Sequence, residues 1–482
     1  MKAIVLSTLN ARYSHASIAL RYLLANLDEL RESAVIEEFI INDPIQPMAE
    51  KILSYEPKIV GIGVYIWNAR DVADLIEVIK KVSPQTMIIL GGPEVSYEPF
   101  RVDWSLADYI IQGEGEQAFV NLCRKILEGQ RPAERIIRPS LLSLQGLKLP
   151  YEYYNDEDVA HRTIYVEASR GCPFLCEFCL SSLDTKVRYF DSDVLLKEFD
   201  HLWARGVRTF KFIDRTFNLN IPLAIKLLDF FLSKEPPFFV HFEVIPDHFP
   251  EELKERLARF PEGSLQLEVG IQTLDPVVAA TIRRPLRLEK IRENIAFLTK
   301  HTHAHLHLDL IVGLPGESPE GFGRNLNELV ALAHGSEIQI GILKKLSGTT
   351  LTRHDQEFGM VYSDKPPYDL LANDLIPFAK MQELKRFARY WDIAYNSGNF
   401  RRSVVMLWLD GDVYKGFGAF AKWVYAQTAS TWKFSPERFG KLLFDYLTNV
   451  VGCDAMEVAT VMAEDFSKSG KKVPIYLREV IE

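Results

Sequence analysis

With 482 residues, 47% of them hydrophobic, and 56 basic against 65 acidic side chains, the chain carries a net charge of -9. That balance excludes a chain-wide basic footprint for nucleic acid and leaves length for about three domains with sizeable cores. No run of eighteen uncharged apolar residues occurs, and the opening MKAIVLSTLN reads as a strand rather than a leader. Five unevenly placed cysteines do not make a disulfide scaffold, so the expected setting is the cytoplasm, with no membrane segment.

In residues 1–135, short apolar runs alternate with amphipathic stretches of helical period. KAIVLSTL, VIEEFII, KIVGIGVYI, TMIILGG and DYIIQGEG read as strands, and SIALRYLLANLDEL, PMAEKILSYE, RDVADLIEVIKKVS and EQAFVNLCRKILEG as helices. Strict alternation predicts a doubly wound, Rossmann-like parallel sheet, whose ligands bind at the carboxyl ends of the strands. There stand NARYSH, YIWNARD, GGPEVS and GEGE. Their glycines either let backbone amides approach a ligand or make tight turns, and no GxGxxG fingerprint is present. Residues 136–160, including LKLPYEYYNDED, read as a linker.

From 161 to 354 the strands acquire one polar and one apolar face. LQLEVGIQT sets Gln266, Glu268, Gly270 and Gln272 against Leu267, Val269 and Ile271, and HLHLDLI sets His305, His307 and Asp309 against three leucines. TIYVEAS, VHFEV and EIQIGI follow the same rule, whereas in FKFID Asp214 shares its face with Phe210 and Phe212. With helical segments between, this period of two predicts a partial (β/α)6 TIM-like barrel with a polar lumen. An antiparallel sheet with one wet face is the alternative, disfavoured by those helices. Residues 355–482 are aromatic and amphipathic and read as a mostly helical domain, either packing or capping the substrate.

Three of the five cysteines, Cys172, Cys176 and Cys179, stand in SRGCPFLCEFC, in the loop after the first strand of the second region. Three thiolates can ligate three irons of a [4Fe–4S] cube and leave the fourth open to a substrate. A Cys3His zinc site is the other reading, although neither a second cysteine pair nor a fourth ligand follows at finger-like spacing. In HTHAHLHLD the first two histidines read as ending a helix or loop and His305 and His307 as lining the chamber rather than holding a metal, and Cys123 and Cys453 read as inert.

CPFLCEFC after a strand resembles the signature of the radical S-adenosylmethionine (SAM) superfamily. FIDRTFN, EVGIQTLD, DLIVGLPGES and ILKKLSGTTL are similar to that superfamily's later strand motifs, in order. The front region resembles the cobalamin-binding domain fused to one branch, and the tail resembles that of a subgroup whose last domain has no assigned role. The resemblance implies a [4Fe–4S] cluster on the three cysteines and reductive cleavage of SAM to a 5′-deoxyadenosyl radical. It also implies an electron donor such as flavodoxin or ferredoxin, and a small-molecule substrate rather than nucleic acid. Carried over by position, Phe178 packs near the adenine, Asp214, Glu243 and Gln272 meet the polar ends of SAM, and Ile311 and Gly313 wall the adenine.

For cobalamin the implied residues are Tyr65, Trp67, Asn68, Gly91, Gly92, Pro93, Glu94, Gly113, Glu114 and Gly115. NARYSHAS lacks the aspartate and glycine of the DxHxxG pattern, so His15 is not expected as the cobalt's lower ligand. The implied reaction is methyl transfer to an unactivated carbon, one SAM charging the cobalt and a second making the radical. Radical cyclisation or rearrangement with a vestigial front domain is the alternative within the fold, and a metal-stabilised binding protein the alternative outside it. Methylthiotransfer is disfavoured, since its relatives carry another cysteine-ligated cluster in front and only Cys123 lies there.

Overall fold

A computed structural model describes residues 2–408 and 410–482, divided into two units. The first unit runs to Glu243 and adds 345–350 and 363–368; the second holds the rest from Val244 onward.

In the first unit, β1 (Ile4–Asn10), β2 (Ala34–Ile40), β3 (Ile59–Gly63), β4 (Met87–Gly91), β5 (Tyr109–Ile111) and β6 (Ile136–Ile137) form a parallel sheet in the order β2-β1-β3-β4-β5-β6. Alternate residues of these strands enter different cores, as a period of two requires. Val5, Val60, Ile62, Ile88, Leu90 and Ile110 pack with residues of helices α2 (Ile45–Leu53) and α3 (Ala69–Val82). Ile4, Leu6, Ile59, Ile89, Tyr109 and Ile111 pack with α1 (Ile18–Ala25) and α4 (Glu116–Leu127). Burial on both faces explains why these strands read as continuous apolar runs. The doubly wound expectation holds.

The stretch expected as a linker is ordered and packed. Ile136–Ile137 add a sixth strand beside β5, and Asn155 caps a short helix, α5 (Asp156–His161), through a capping box with Asp158. Tyr151 and Tyr154 are fully buried. Arg21 binds Asp158 at 2.6 Å and Glu38 at 2.9 Å, so the segment is clamped to α1 and β2 by a buried ion pair.

Beyond it, β7 (Ile164–Val166), β10 (Thr209–Phe212) and β11 (Phe239–Val244) run parallel and side by side. Between β7 and β10, the two-residue strands β8 (Ser169–Arg170) and β9 (Arg188–Tyr189) pair antiparallel and bracket the cysteine loop. Helices α6 (Ser192–Ala204) and α7 (Ile221–Leu232) enclose an aromatic core: Phe199, Phe210, Phe212, Phe231 and Phe242 are all fully buried. Phe212 lies 4.7 Å from Phe242 between ring centroids, and Phe217 lies 3.7 Å from Phe242. This core settles the irregularity of FKFID. Strand β10 ends at Phe212, so alternation no longer governs Asp214, which turns inward past the strand.

In the second unit, β12 (Leu265–Gln272), β13 (His305–Val312) and β14 (Glu337–Ile342) are parallel neighbours. Strands β12 and β13 alternate buried and half-buried residues, except that His305 is exposed. Helix α8 (Glu251–Leu257) precedes β12, α9 (Pro276–Thr281) and α10 (Leu288–His301) lie between β12 and β13, and α11 (Pro319–Leu332) lies between β13 and β14. The tail contains a small antiparallel pair, β15 (Val361–Tyr362) and β16 (Leu370–Ala372). It is otherwise mostly helical, with α12 (Phe378–Trp391), α13 (Val413–Thr428), α14 (Pro436–Tyr446), α15 (Ala455–Lys468) and α16 (Ile475–Ile481). Trp391, fully buried, donates its indole N–H to the Ile338 carbonyl at 3.0 Å and fastens α12 to β14. Among the described residues no helix is long and apolar enough to cross a membrane.

Candidate functional site

The cysteine loop is shaped by its backbone. Gly171 adopts φ +91°, and a Cβ there would lie 2.6 Å from the Lys186 carbonyl oxygen, so no other residue fits without displacing the returning strand. The Cys172 N–H donates to the Asp184 carbonyl at 2.8 Å, and the Cys179 N–H to the Cys176 carbonyl at 3.1 Å. Cys172 and Cys176 are buried and Cys179 is half-buried. Burial pushes the Cys172 thiol up, and the Cys179 and Cys176 thiols add to the shift, while a bond from the Phe174 backbone and the Arg215 charge oppose it. The three sulfurs therefore share one electrostatic neighbourhood, and the Arg215 charge is felt at Cys172.

Among the described residues no three His, Cys, Asp or Glu side chains are drawn around one point as a single ion requires. A cubane distributes its ligated irons over separate corners, so its thiolates stand apart. One loop carrying three thiols and closed by a glycine fits that group.

Of the residues expected near SAM, Phe178 is half-buried within the loop. Asp214 accepts from the Ala168 N–H at 2.9 Å and from the Ser169 hydroxyl at 2.6 Å, fixing the strand that leads to the cysteines. Burial pushes its carboxyl up to about 7 against those bonds. Glu243 pairs with Arg215 at 2.8 Å. These three positions lie in the first unit. In the second, Gln272 is the last residue of β12, Ile311 stands near the end of β13, and Gly313 follows it. Each lies at the carboxyl end of its own strand.

At the carboxyl ends of β3, β4 and β5 a cavity of about 330 Å³ opens. Tyr65, Gly91, Gly92, Pro93, Gly113, Glu114 and Gly115 line it together with apolar side chains of α1 and α4 such as Leu23 and Phe119. Gly92, at φ +102°, passes so close to β3 that a Cβ would come 2.5 Å from the Val64 carbonyl oxygen. Glu116 Oε2 is buried there without a protein partner. An apolar slot between sheet and helices, with glycine turns at its mouth and an unanswered polar atom, fits a large cofactor that is part ring and part amide.

The structure does not bring three expected residues to this cavity wall. Trp67 stacks on Tyr65 at 4.6 Å between centroids and is 46% exposed. Asn68 is fully buried and engaged with the backbone, its amide donating to the Leu9 carbonyl at 3.0 Å and its carbonyl accepting from Tyr65 N–H at 2.8 Å. Glu94 accepts from the Tyr368 hydroxyl.

Sequence reasoning missed the ion-pair network that joins this cavity to the cysteine loop. Arg170, two residues before Cys172, binds Glu167 at 2.8 Å and Glu116 at 2.9 Å, and lies 3.6 Å from Glu114. Arg188, on the returning strand, binds Glu114 at 2.6 Å and Asp184 at 2.7 Å. Apart from the local pairs Arg170–Glu167 and Arg188–Asp184, the partners are far apart in the chain and carry no spacing signal; only the arginine of SRGC and the acids of GEGE could have suggested a pairing.

Comparison with known families agrees with this geometry. The B12 binding domain model matches residues 4–123, the radical SAM superfamily model residues 166–329, and a protein family of unknown function, DUF4080, residues 356–479. The chain carries a B12-binding domain, a radical SAM domain and a DUF4080 domain, in that order. The matched domains imply a [4Fe–4S] cluster, SAM and cobalamin as cofactors. The chain is 24% identical over 343 residues to 2-(S-pantetheinyl)-carbapenam-3-carboxylate methyltransferase of Streptantibioticus cattleyicolor, covering 63% of this chain and 49% of that one. It is 22% identical over 338 residues to the cobalamin-dependent radical SAM methyltransferase TokK of Streptomyces tokunonensis, covering 62% and 48%. The chain thus spans about half the length of these curated relatives. Among solved structures it shares its fold with the cobalamin-dependent S-adenosylmethionine radical enzyme OxsB, at TM-score 0.64 and 12% identity, over 99% of this chain and 83% of that one.

Proposed function

We propose that the protein is a cobalamin-dependent radical SAM methyltransferase acting on an unactivated carbon of a small molecule. The observation that carries this reading is the Arg170 network, which ties the apolar cavity at the Rossmann-like sheet to the three-cysteine loop within one unit. Methyl transfer through two cofactors needs both sites held in fixed register. The likeness to the two named methyltransferases supports the same reaction class.

In this reading Cys172, Cys176 and Cys179 hold the cluster, and Tyr65, Gly91, Gly92, Pro93, Gly113, Glu114 and Gly115 receive the cobalamin. A reduced cluster supplies the electron that splits the sulfonium of SAM, and cobalamin carries the methyl group. This chain's own residues orient and seclude. Asp214 keeps the lead-in strand fixed, Arg215 offsets charge beside the thiolates, and Gln272, Ile311 and Gly313 bound the SAM site. Trp67 and Asn68 shape the loop after β3 that would border the cobalamin, and Glu94 braces the turn after β4. The barrel occupies 161–354 and the tail 355–482; flavodoxin or ferredoxin in the cytoplasm serves as reductant.

Anaerobically reconstituted protein, given hydroxocobalamin, a reductant and SAM bearing a trideuterated methyl group, is expected to retain cobalamin through gel filtration. It should form 5′-deoxyadenosine and trideuteromethylcobalamin. Deoxyadenosine formation without retained cobalamin, or with no label on the cobalt, would refute the methyltransferase reading.

A further inference from the structure

Strand β12 ends in a turn that the sequence does not advertise. Gln272 has φ +69°, in the left-handed region, and the Thr273 N–H donates back to the Ile271 carbonyl at 2.9 Å, closing a γ-turn around it. The register with β13 shifts between Gly270 and Gln272 at the same place. A side chain with a Cβ reaches this conformation only when its surroundings impose it.

Glu317, in the turn after β13, holds the residue that follows Gln272, Thr273. Glu317 is 2% exposed. Its Oε1 accepts from the Thr273 hydroxyl at 2.8 Å and from the Asn325 amide at 2.8 Å, and the same amide reaches the Thr273 oxygen at 3.1 Å. The Glu317 N–H is fixed to the Leu314 carbonyl at 3.0 Å, and Thr273 Oγ1 also accepts from Asp275 N–H at 3.1 Å. One carboxyl group therefore clamps the turn after β12 to the turn after β13 and to α11. Its second oxygen, Oε2, is buried without a hydrogen-bond partner. A carboxylate so enclosed would leave charge uncompensated, whereas a neutral acid asks less of its surroundings. Burial accordingly pushes Glu317 up to about 8; Asp275 adds to the shift, and Thr273, Asn325 and Arg324 oppose it.

We propose that Glu317 is a positioning residue, which holds Gln272 in its reversed turn and thereby sets the affinity for SAM. The inference rests on the reading that Gln272 meets SAM. Glu317 itself touches no substrate; it acts through Thr273.

The test compares wild type with Glu317→Gln, Glu317→Ala, Thr273→Val and Gln272→Ala, each reconstituted and matched for iron content, by equilibrium dialysis of SAM. An amide preserves the acceptor oxygen and the shape of the neutral acid. Glu317→Gln should therefore bind within about 3-fold of wild type, while Glu317→Ala and Gln272→Ala weaken binding at least about 10-fold. Should Glu317→Ala fail to accumulate, Thr273→Val removes the clamp from its other side, and is expected to weaken binding in the same direction. A second readout follows from proton linkage. The closed clamp holds the proton more tightly than the open one, so wild type should lose thermal stability relative to Glu317→Gln as pH rises from about 5 to about 8, and no further above. If Gln272→Ala weakens SAM binding but Glu317→Ala and Thr273→Val do not, the clamp is refuted and the SAM site stands. Unchanged binding by Gln272→Ala refutes the SAM assignment of Gln272 and this proposal with it. Equal damage from Glu317→Gln and Glu317→Ala also overturns it, because the shape of the group would then not be what matters.

Discussion

Replacing Cys172, Cys176 or Cys179 singly with alanine is expected to abolish bound iron and deoxyadenosine formation while leaving the fold intact. Each thiol is one of only three protein ligands in the proposed site, so its loss should exceed the roughly 10-fold to 100-fold cost of disturbing an outer-shell partner. The loop does not depend on the sulfurs for its path. Gly171 and the backbone bonds of Cys172 to Asp184 and Cys179 to Cys176 shape it, and those survive the substitutions. Circular dichroism should therefore match wild type while iron analysis falls to background. Cys123→Ala and Cys453→Ala supply the control. Burial pushes both thiols up, which leaves them protonated, and neither lies in the loop, so iron content should not change. Retained iron in any of the three loop variants would mean that the loop does not hold the cluster.

Arg170→Met should damage both cofactor sites at once. The guanidinium is enclosed by Glu167, Glu116 and Glu114, with 14% of its side chain exposed. Removing the cation leaves carboxylates buried and unmatched, a class of change that costs about 3–5 kcal/mol. The expected result is a lower Tm together with reduced cobalamin retention and reduced iron after reconstitution, because the same side chain braces the wall of the cavity and the entry to the cysteine loop. Adding Glu116→Gln to Arg170→Met removes one stranded charge and should restore part of the Tm without restoring cobalamin. A variant that lost stability but kept both cofactors would show the network to be a fold element with no bearing on their register.

Much of the architecture was legible because it obeys periods. The two cores of the first sheet follow from strict alternation in Ile4, Val5, Leu6 and Ile59, Val60, and the one-sided burial of Leu265–Gln272 and His305–Val312 was visible as polar and apolar residues in turn. The cysteine spacing was legible because metal ligation demands few residue types at close intervals. What escaped lacks a period. Ile136–Ile137 is too short to display one, and Asp158 is buried only because Arg21, 137 positions earlier, meets it. Asp214 fell outside the rule because its strand stops two residues sooner. The Arg170 network and the Glu317 clamp depend on residues that folding alone brings together, and Gln272 hides a left-handed backbone under an ordinary residue name.

The most direct measurement is electron paramagnetic resonance of the reduced, anaerobically reconstituted protein with and without SAM. An iron site held by three cysteines with one position open predicts a [4Fe–4S]+ signal whose g values shift when SAM is added. A signal indifferent to saturating SAM, or a protein that takes up zinc in place of iron and sulfide, would contradict the account.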